Sequence, residues 1–233
     1  MTGPAPATKD PMPSPLLFYF DFISPYAYLA ATKVPALAAR HGRALTMVPI
    51  VFAKLLDAHG TVGPAEVPAK RAYTYKDAWR KARRFGLGAL VPPPSHPFNP
   101  LLALRVASLP MESDEKVRLV RALFDATWKT GAGVENETTV AAAATSAGFD
   151  GAALVQRAVA PENKERLKTA TEEAVKSGVF GVPTLVVDGE IFWGTDGLEL
   201  AEDLLAGGDD TPKDFSWAER PATARRPGSP KLP

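Results

Sequence analysis

The chain has 233 residues, with 27 lysines and arginines against 26 aspartates and glutamates, a formal charge of +1. So even a balance provides no general field for nucleic acid or an anionic membrane. The absence of cysteine excludes disulfides, thiolate catalysis and cysteine-based metal sites.

Residues 1–14 are rich in proline, alanine and small polar residues, too poor in apolar surface to fold, and are expected to be disordered. They have no apolar core of the kind a signal peptide needs, and no later run reaches bilayer-spanning length. A cytoplasmic protein with no membrane partner follows as the expectation.

Residues 16–23 (LLFYFDFI) are aromatic and aliphatic, broken only by Asp21, and predict a buried strand. Ser24-Pro25 then starts a helix: serine is a preferred N-cap, and proline at the first helical position has φ already set and no amide to leave unpaired. Tyr26, Leu29, Ala30, Val34, Leu37 and Ala38 recur at helical spacing, with a kink expected at Pro35. A serine hydroxyl at a helix N-terminus, beside free amides, suits an anion; the plainer reading is a cap and nothing more. His41-Gly42 stops the helix, and residues 44–52 (ALTMVPIVF) form a second strand, which Pro49 assigns to an edge or a strand end. Strand, helix and strand make a right-handed βαβ unit.

From 53 to 177 the pattern is helical. Residues 69–85 carry an apolar face of Ala72, Tyr75, Trp79 and Ala82, opposite Lys76, Arg80, Arg83 and Arg84. Asp77 and that apolar face make the basic run a solvated helix rather than a nucleic-acid surface. Residues 91–100 (VPPPSHPFNP) read as an extended connector. Helices follow at 100–107, 114–130, 138–147, from Asp150 to about 160, and at 161–177, with Ser113 or Asp114, Thr138 and Asp150 as N-cap candidates. Thr184 to Val187 is β-branched and apolar, Asp188-Gly189 is a two-residue hairpin turn, and 190–193 returns. A helix at 198–205 closes the pattern. Residues 207–233 read as a mostly disordered tail in which Phe215 and Trp217 could tack a part onto the body. His41, His59 and His96 are too scattered for a metal site, and neither G-x-G-x-x-G nor a Walker loop occurs. The order βαβ, helices, ββα predicts an α/β protein: a thioredoxin-like fold (15–52 and 178–206) with a helical domain (53–177) inserted after the first βαβ unit.

Phe18-Tyr19-Phe20-Asp21-Phe22-x-Ser24-Pro25-Tyr26, Gly181-Val182-Pro183-Thr184 and Phe192-Trp193-Gly194-x-Asp196 together resemble the 2-hydroxychromene-2-carboxylate isomerase family. That family is related to kappa-class glutathione transferases within the DsbA-like thioredoxin folds. Lys70 in Val67-Pro68-Ala69-Lys70-Arg71 and the connector His96-Pro97-Phe98-Asn99-Pro100 match its bacterial members. The resemblance spans about 16–206. It implies glutathione as cofactor, its sulfur at Ser24 and its peptide backbone against Val182 beside a cis Pro183. Lys70 would take the glycine carboxylate, and Thr195 and Asp196 the γ-glutamyl end. It further implies a homodimer acting on an aromatic small molecule, with the glutathione thiolate adding to a conjugated keto acid and allowing rotation to a trans-o-hydroxybenzylidenepyruvate. Three positions depart from the family pattern: Gly197 stands where arginine is common, Asp57 where many bacterial relatives have asparagine, and Thr61 where the kappa class has a glutathione-contacting asparagine. Asp57 and Thr61 are retained as glutathione-site positions. A kappa-type transferase or peroxidase, and a non-catalytic peptide-binding module, are the alternative readings.

Overall fold

The computed structural model describes residues 13–212 and 214–219; the expected disorder of residues 1–12 and 220–233 lies outside the described residues. Four strands, β1 (Leu16–Phe20), β2 (Leu45–Pro49), β3 (Thr184–Val187) and β4 (Glu190–Trp193), form one sheet in the order β2-β1-β3-β4. β1 is parallel to β2 and antiparallel to β3, and β3 and β4 form a hairpin. The Asp188-Gly189 turn has φ of 50° and 93°, a left-handed pair that this dipeptide tolerates.

Ten helices lie around this sheet among the described residues: α1 (Pro25–Ala31), α2 (Val34–Arg40), α3 (Phe52–His59), α4 (Pro68–Arg84), α5 (Leu101–Ser108), α6 (Ser113–Trp128), α7 (Glu137–Ser146), α8 (Gly151–Ala158), α9 (Pro161–Lys176) and α10 (Gly197–Leu205). This is the thioredoxin-like architecture expected, with helices occupying the segment between β2 and β3.

β1 is covered on both faces, which is why it reads as an almost unbroken apolar run. On one side Phe18, Phe20 and Phe22 pack with Tyr28 of α1 and with Phe124 and Trp128 of α6. The Phe22 and Phe124 rings meet edge-on at 4.7 Å between centroids. On the other side Tyr19 packs with Leu55 of α3, Ala174 of α9, Val179 and Val182. The first cluster continues through Ala78, Leu104, Leu119, Val140 and Leu154, so the sheet and the helical segment share one apolar core.

Several boundaries differ from expectation for local hydrogen-bonding reasons. β1 ends at Phe20, not residue 23, because the chain turns: Ser24 N–H donates to Asp21 O (3.2 Å) and Ile23 N–H to Asp21 Oδ1 (3.0 Å). β2 ends at Pro49, short of residue 52; Val51 N–H donates to Thr171 Oγ1 (3.1 Å) and Phe52 N–H to Asp21 Oδ2 (3.0 Å), so α3 starts there instead. Pro49 does lie on an edge strand. The kink near Pro35 is a full break at Thr32-Lys33. Asn136, not Thr138, caps α7, its Oδ1 accepting from Thr139 N–H at 3.0 Å. Asp150 caps α8 as expected. Ser113 caps nothing and donates instead to Leu45 O at 2.9 Å. Phe215 and Trp217 do not pack onto the body: both are exposed and meet one another at a tilted angle, 5.8 Å between ring centroids.

Candidate functional site

Ser24 occupies the turn between the end of β1 and α1. It is buried, with extended backbone, and its Oγ accepts from Ala27 N–H at 3.2 Å. The hydroxyl proton has no acceptor among the described residues, so the group is held as a cap while its O–H remains available to donate.

Pairing of β1 with β3 (Tyr19 opposite Thr184) brings Val182-Pro183 to the same end of the sheet as Ser24. Pairing of β3 with β4 (Thr184 opposite Trp193) brings Gly194, Thr195 and Asp196 there as well. Gly194 N–H donates to Pro183 O at 2.9 Å, joining the two loops. The Val182-Pro183 bond is cis, as is His96-Pro97. Neither the amide nor the carbonyl of Val182 has a hydrogen-bond partner among the described residues. Thr184 Oγ1 donates to Gly181 O (2.7 Å), which shapes the loop from within. A Cβ on Gly181 would stand 2.5 Å from Trp193 Nε1, so the loop passes the indole at a distance that glycine allows.

Thr195 is buried and donates from Oγ1 to Asp196 Oδ1 at 3.3 Å. Asp196 stands at the N-cap position of α10 but makes no capping bond. Its Oδ1 is 3.1 Å from Lys81 Nζ, which is also 3.3 Å from Asp77 Oδ2. Tyr26 O–H donates to Asp77 Oδ2 at 2.8 Å, and Lys81 lies over the Tyr26 ring. Burial and the Asp77 carboxylate push the Tyr26 phenol upward; hydrogen bonds to Asp196 and Asp77 outweigh desolvation and push the Lys81 ammonium upward. A Cβ on Gly197 would lie 3.0 Å from the Phe192 carbonyl carbon, so an arginine there would require the β4–α10 turn to shift.

The turn before Ser24 is held from outside. Buried Asp21 accepts from Ile23 and Phe52, and burial pushes its carboxyl up to about 7 against the opposing effect of those two amides. Trp128 Nε1–H donates to Phe22 O at 2.9 Å. His96 Nε2 is 3.1 Å from Ile23 O, and its Nδ1 is 2.5 Å from Tyr75 Oη. Burial, with Arg71 nearby, lowers the His96 pKa.

Lys70 sits exposed in the first turn of α4, with no hydrogen bond or ion pair among the described residues. Asp57 is exposed and pairs with Lys54 at 3.2 Å, and Thr61 is exposed just beyond α3. No hydrogen bond joins either to Ser24, Val182 or Thr195. Register therefore groups Ser24, Val182, Pro183, Thr195 and Asp196, whereas Lys70, Asp57 and Thr61 line the α3–α4 side. Sequence reading missed Asp77, Lys81 and the His96–Tyr75 pair; only the placement of Asp77 and Lys81 at i and i+4 hinted at a connection. No group of three or more metal-binding side chains occurs among the described residues.

The family model of the DsbA-like thioredoxin domain matches residues 16–206. A 2-hydroxychromene-2-carboxylate isomerase of Sphingobium xenophagum is 32% identical over 190 residues, 81% of this chain and 96% of that protein. A solved structure of a 2-hydroxychromene-2-carboxylate isomerase aligns with TM-score 0.76 at 28% identity, covering 82% of this chain and 94% of that one. Human glutathione S-transferase kappa 1 is 26% identical over 210 residues, 84% of this chain and 92% of the relative. The chain belongs to the DsbA-like thioredoxin family and, within it, to the group of 2-hydroxychromene-2-carboxylate isomerases and their kappa-class transferase relatives.

Proposed function

We propose that the protein is a glutathione-dependent isomerase of 2-hydroxychromene-2-carboxylate or a related aromatic conjugated keto acid. The observation that carries the reading is the Ser24 hydroxyl. Its oxygen is satisfied by Ala27 N–H and its proton is uncommitted, at the sheet end where Val182 offers an unpaired amide and carbonyl. Glutathione pairs with Val182 as a short antiparallel strand, and its sulfur accepts from Ser24 Oγ–H, which favours thiolate over thiol. A charge-assisted bond of this kind supplies about 1.5–3 kcal/mol, or one to two pKa units. Asp196 and Thr195 hold the γ-glutamyl end, Lys70 the glycine carboxylate, and Asp57 and Thr61 flank it.

The thiolate adds to the conjugated carbon. A C–S bond forms, the double-bond pair moves to the carbonyl oxygen, and the former double bond rotates. Reversal expels the thiolate, so glutathione is regenerated. A chain without cysteine has no dithiol exchange of its own.

The Ser24→Ala variant decides the matter. Loss of a cap costs about 1 kcal/mol, so the variant folds and retains the Val182 contacts. Glutathione binds within several-fold of wild type, while its thiol pKa, read from thiolate ultraviolet absorbance, rises by about one unit or more. Turnover at neutral pH falls with the lost thiolate fraction and partly recovers at higher pH. An unshifted titration would reduce Ser24 to a helix cap. The kappa relatives favour a second reading, a transferase, which consumes glutathione where isomerisation does not. A homodimer belongs to this proposal; sedimentation at micromolar concentration checks it.

A further inference from the structure

The loop that presents Val182 is held at alternate residues. α9 ends in a Schellman motif: Gly178, at φ 82°, donates from N–H to Val175 O at 3.0 Å, and Val179 N–H donates to Ala174 O at 2.9 Å. Further on, Gly181 O accepts from Thr184 Oγ1 and Pro183 O from Gly194 N–H, at 2.7 Å and 2.9 Å. Both of those donors lie downstream, in β3 or just past β4. Phe180 makes no main-chain hydrogen bond among the described residues.

The carbonyl of Val179 is held from another part of the chain. His59, in the last turn of α3, places Nε2 3.1 Å from Val179 O. A carbonyl only accepts, so Nε2 carries the proton and donates it. Among the described residues this is the only hydrogen bond between α3 and residues 179–183. Val179 is fully buried in the cluster that holds Leu55 and Val182. Without the imidazole its carbonyl would have neither a partner nor water, and the loop would have to move to find one. His59 also lies between Asp57 and Thr61 in the chain, so the same bond ties the Val182 loop to the α3–α4 side. Ser24 is held separately, by Ala27 N–H.

We infer that His59 is a positioning residue for ligand capture: by holding the Val179 carbonyl it sets the loop on which Val182 presents its unpaired amide and carbonyl. A loop already in place spares an extended ligand the cost of ordering it. The role presumes glutathione at Val182, as in the proposed function, and the readouts separate the two.

His59→Ala and His59→Gln are compared with wild type in the full chain, since a glutamine amide N–H reaches about as far as Nε2. In calorimetry, glutathione and γ-glutamylcysteine both weaken about fivefold or more in His59→Ala and return to within about twofold of wild type in His59→Gln. The thiol pKa of bound glutathione, read from thiolate absorbance, keeps its wild-type value in both variants. Turnover of the chromene carboxylate then shows a raised KM for glutathione with kcat unchanged. Ser113→Ala, which also gives up one hydrogen bond to a carbonyl, controls for a general loss of stability and binds glutathione as wild type does. Unchanged affinity in His59→Ala overturns the inference, and so does a shifted thiol pKa or a weakening confined to glutathione, which would move His59 to the glycine end. Should His59→Ala fail to fold, His59→Asn, whose amide falls short of Val179 O, takes its place. Amide hydrogen exchange at 179–184 without any thiol reads the loop directly. Faster exchange in His59→Ala, slowed again in His59→Gln, supports the tether, and equal rates overturn it. A wild type that binds neither thiol sinks the proposed function, and exchange then still decides whether His59 holds the loop.

Discussion

Asp21 shows how a single carboxyl sets a pH response at this site. Its folded pKa is about 7, above the 3.8 of an ordinary aspartate, because burial outweighs two backbone donors. Between pH 4 and 7 the folded state therefore holds a proton that the unfolded state has lost. Stability from this group is fully present below about pH 4 and declines as pH rises through 7, by at most about 4 kcal/mol. Asp21→Asn should flatten that part of the profile. It should also cost about 1–2 kcal/mol, since an amide NH2 then faces one of the two N–H donors. Urea midpoints from pH 4.5 to 7.5 for both proteins provide the check; parallel profiles would remove Asp21 from the account. Lys70 makes a separate prediction. Lys70→Ala should weaken glutathione by about 1–2 kcal/mol, less at high salt, and leave γ-glutamylcysteine unaffected, because that dipeptide lacks the glycine carboxylate. Equal weakening of both ligands in calorimetry would dismiss the assignment. The motif around Ser24 and Pro25 was legible because capping preference is local. The protonation of Asp21 was not, since nothing in LLFYFDFI reveals that Phe52 returns its amide to the carboxylate.

At the scale of elements, α4 braces the site at two points. Near its start, Arg71 and Tyr75 hold His96 against the turn. Near its end, Asp77 and Lys81 join Tyr26 of α1 to Asp196 at the start of α10. The Lys81–Asp196 pair is worth little by itself, since the Asp196 side chain is 86% exposed. Tyr26–Asp77 is half-buried and worth about 1–2 kcal/mol. Tyr26→Phe should therefore lower the melting temperature by a few degrees, whereas Lys81→Met should leave it nearly unchanged. Differential scanning calorimetry distinguishes these outcomes, and a larger loss in Lys81→Met would show that the pair is stronger than its exposure implies. The 69–85 pattern disclosed a helix with one apolar face. It did not disclose that α4 crosses the strand–helix turn, because helix packing depends on partners distant in sequence.

For the whole molecule, the shared core predicts shared stability. Phe124 of α6 lies against Phe20, Phe22 and Tyr28, so one ring joins the helical segment to β1 and α1. Phe124→Ala should cost about 3–5 kcal/mol. Unfolding should remain a single transition, with near-ultraviolet and far-ultraviolet dichroism coinciding. Two separated transitions would show that the segment at 53–177 is an independent folding unit.

The sequence alone determined the element order, the burial of β1, the hairpin at Asp188-Gly189 and the thioredoxin-like class. These depend on periodicity, capping and turn chemistry within a few residues. The motif set around Ser24 and Pro183 sufficed to name the family. Only the tertiary structure decided that Asp196 pairs with Lys81 rather than capping α10, that Ser113 reaches Leu45, and that His96 and Tyr75 lie beside Ile23. Side chains of this kind are served by partners 21 to 115 residues away. Their choice is set by which polar groups burial leaves without water, and that is known only once the chain has folded.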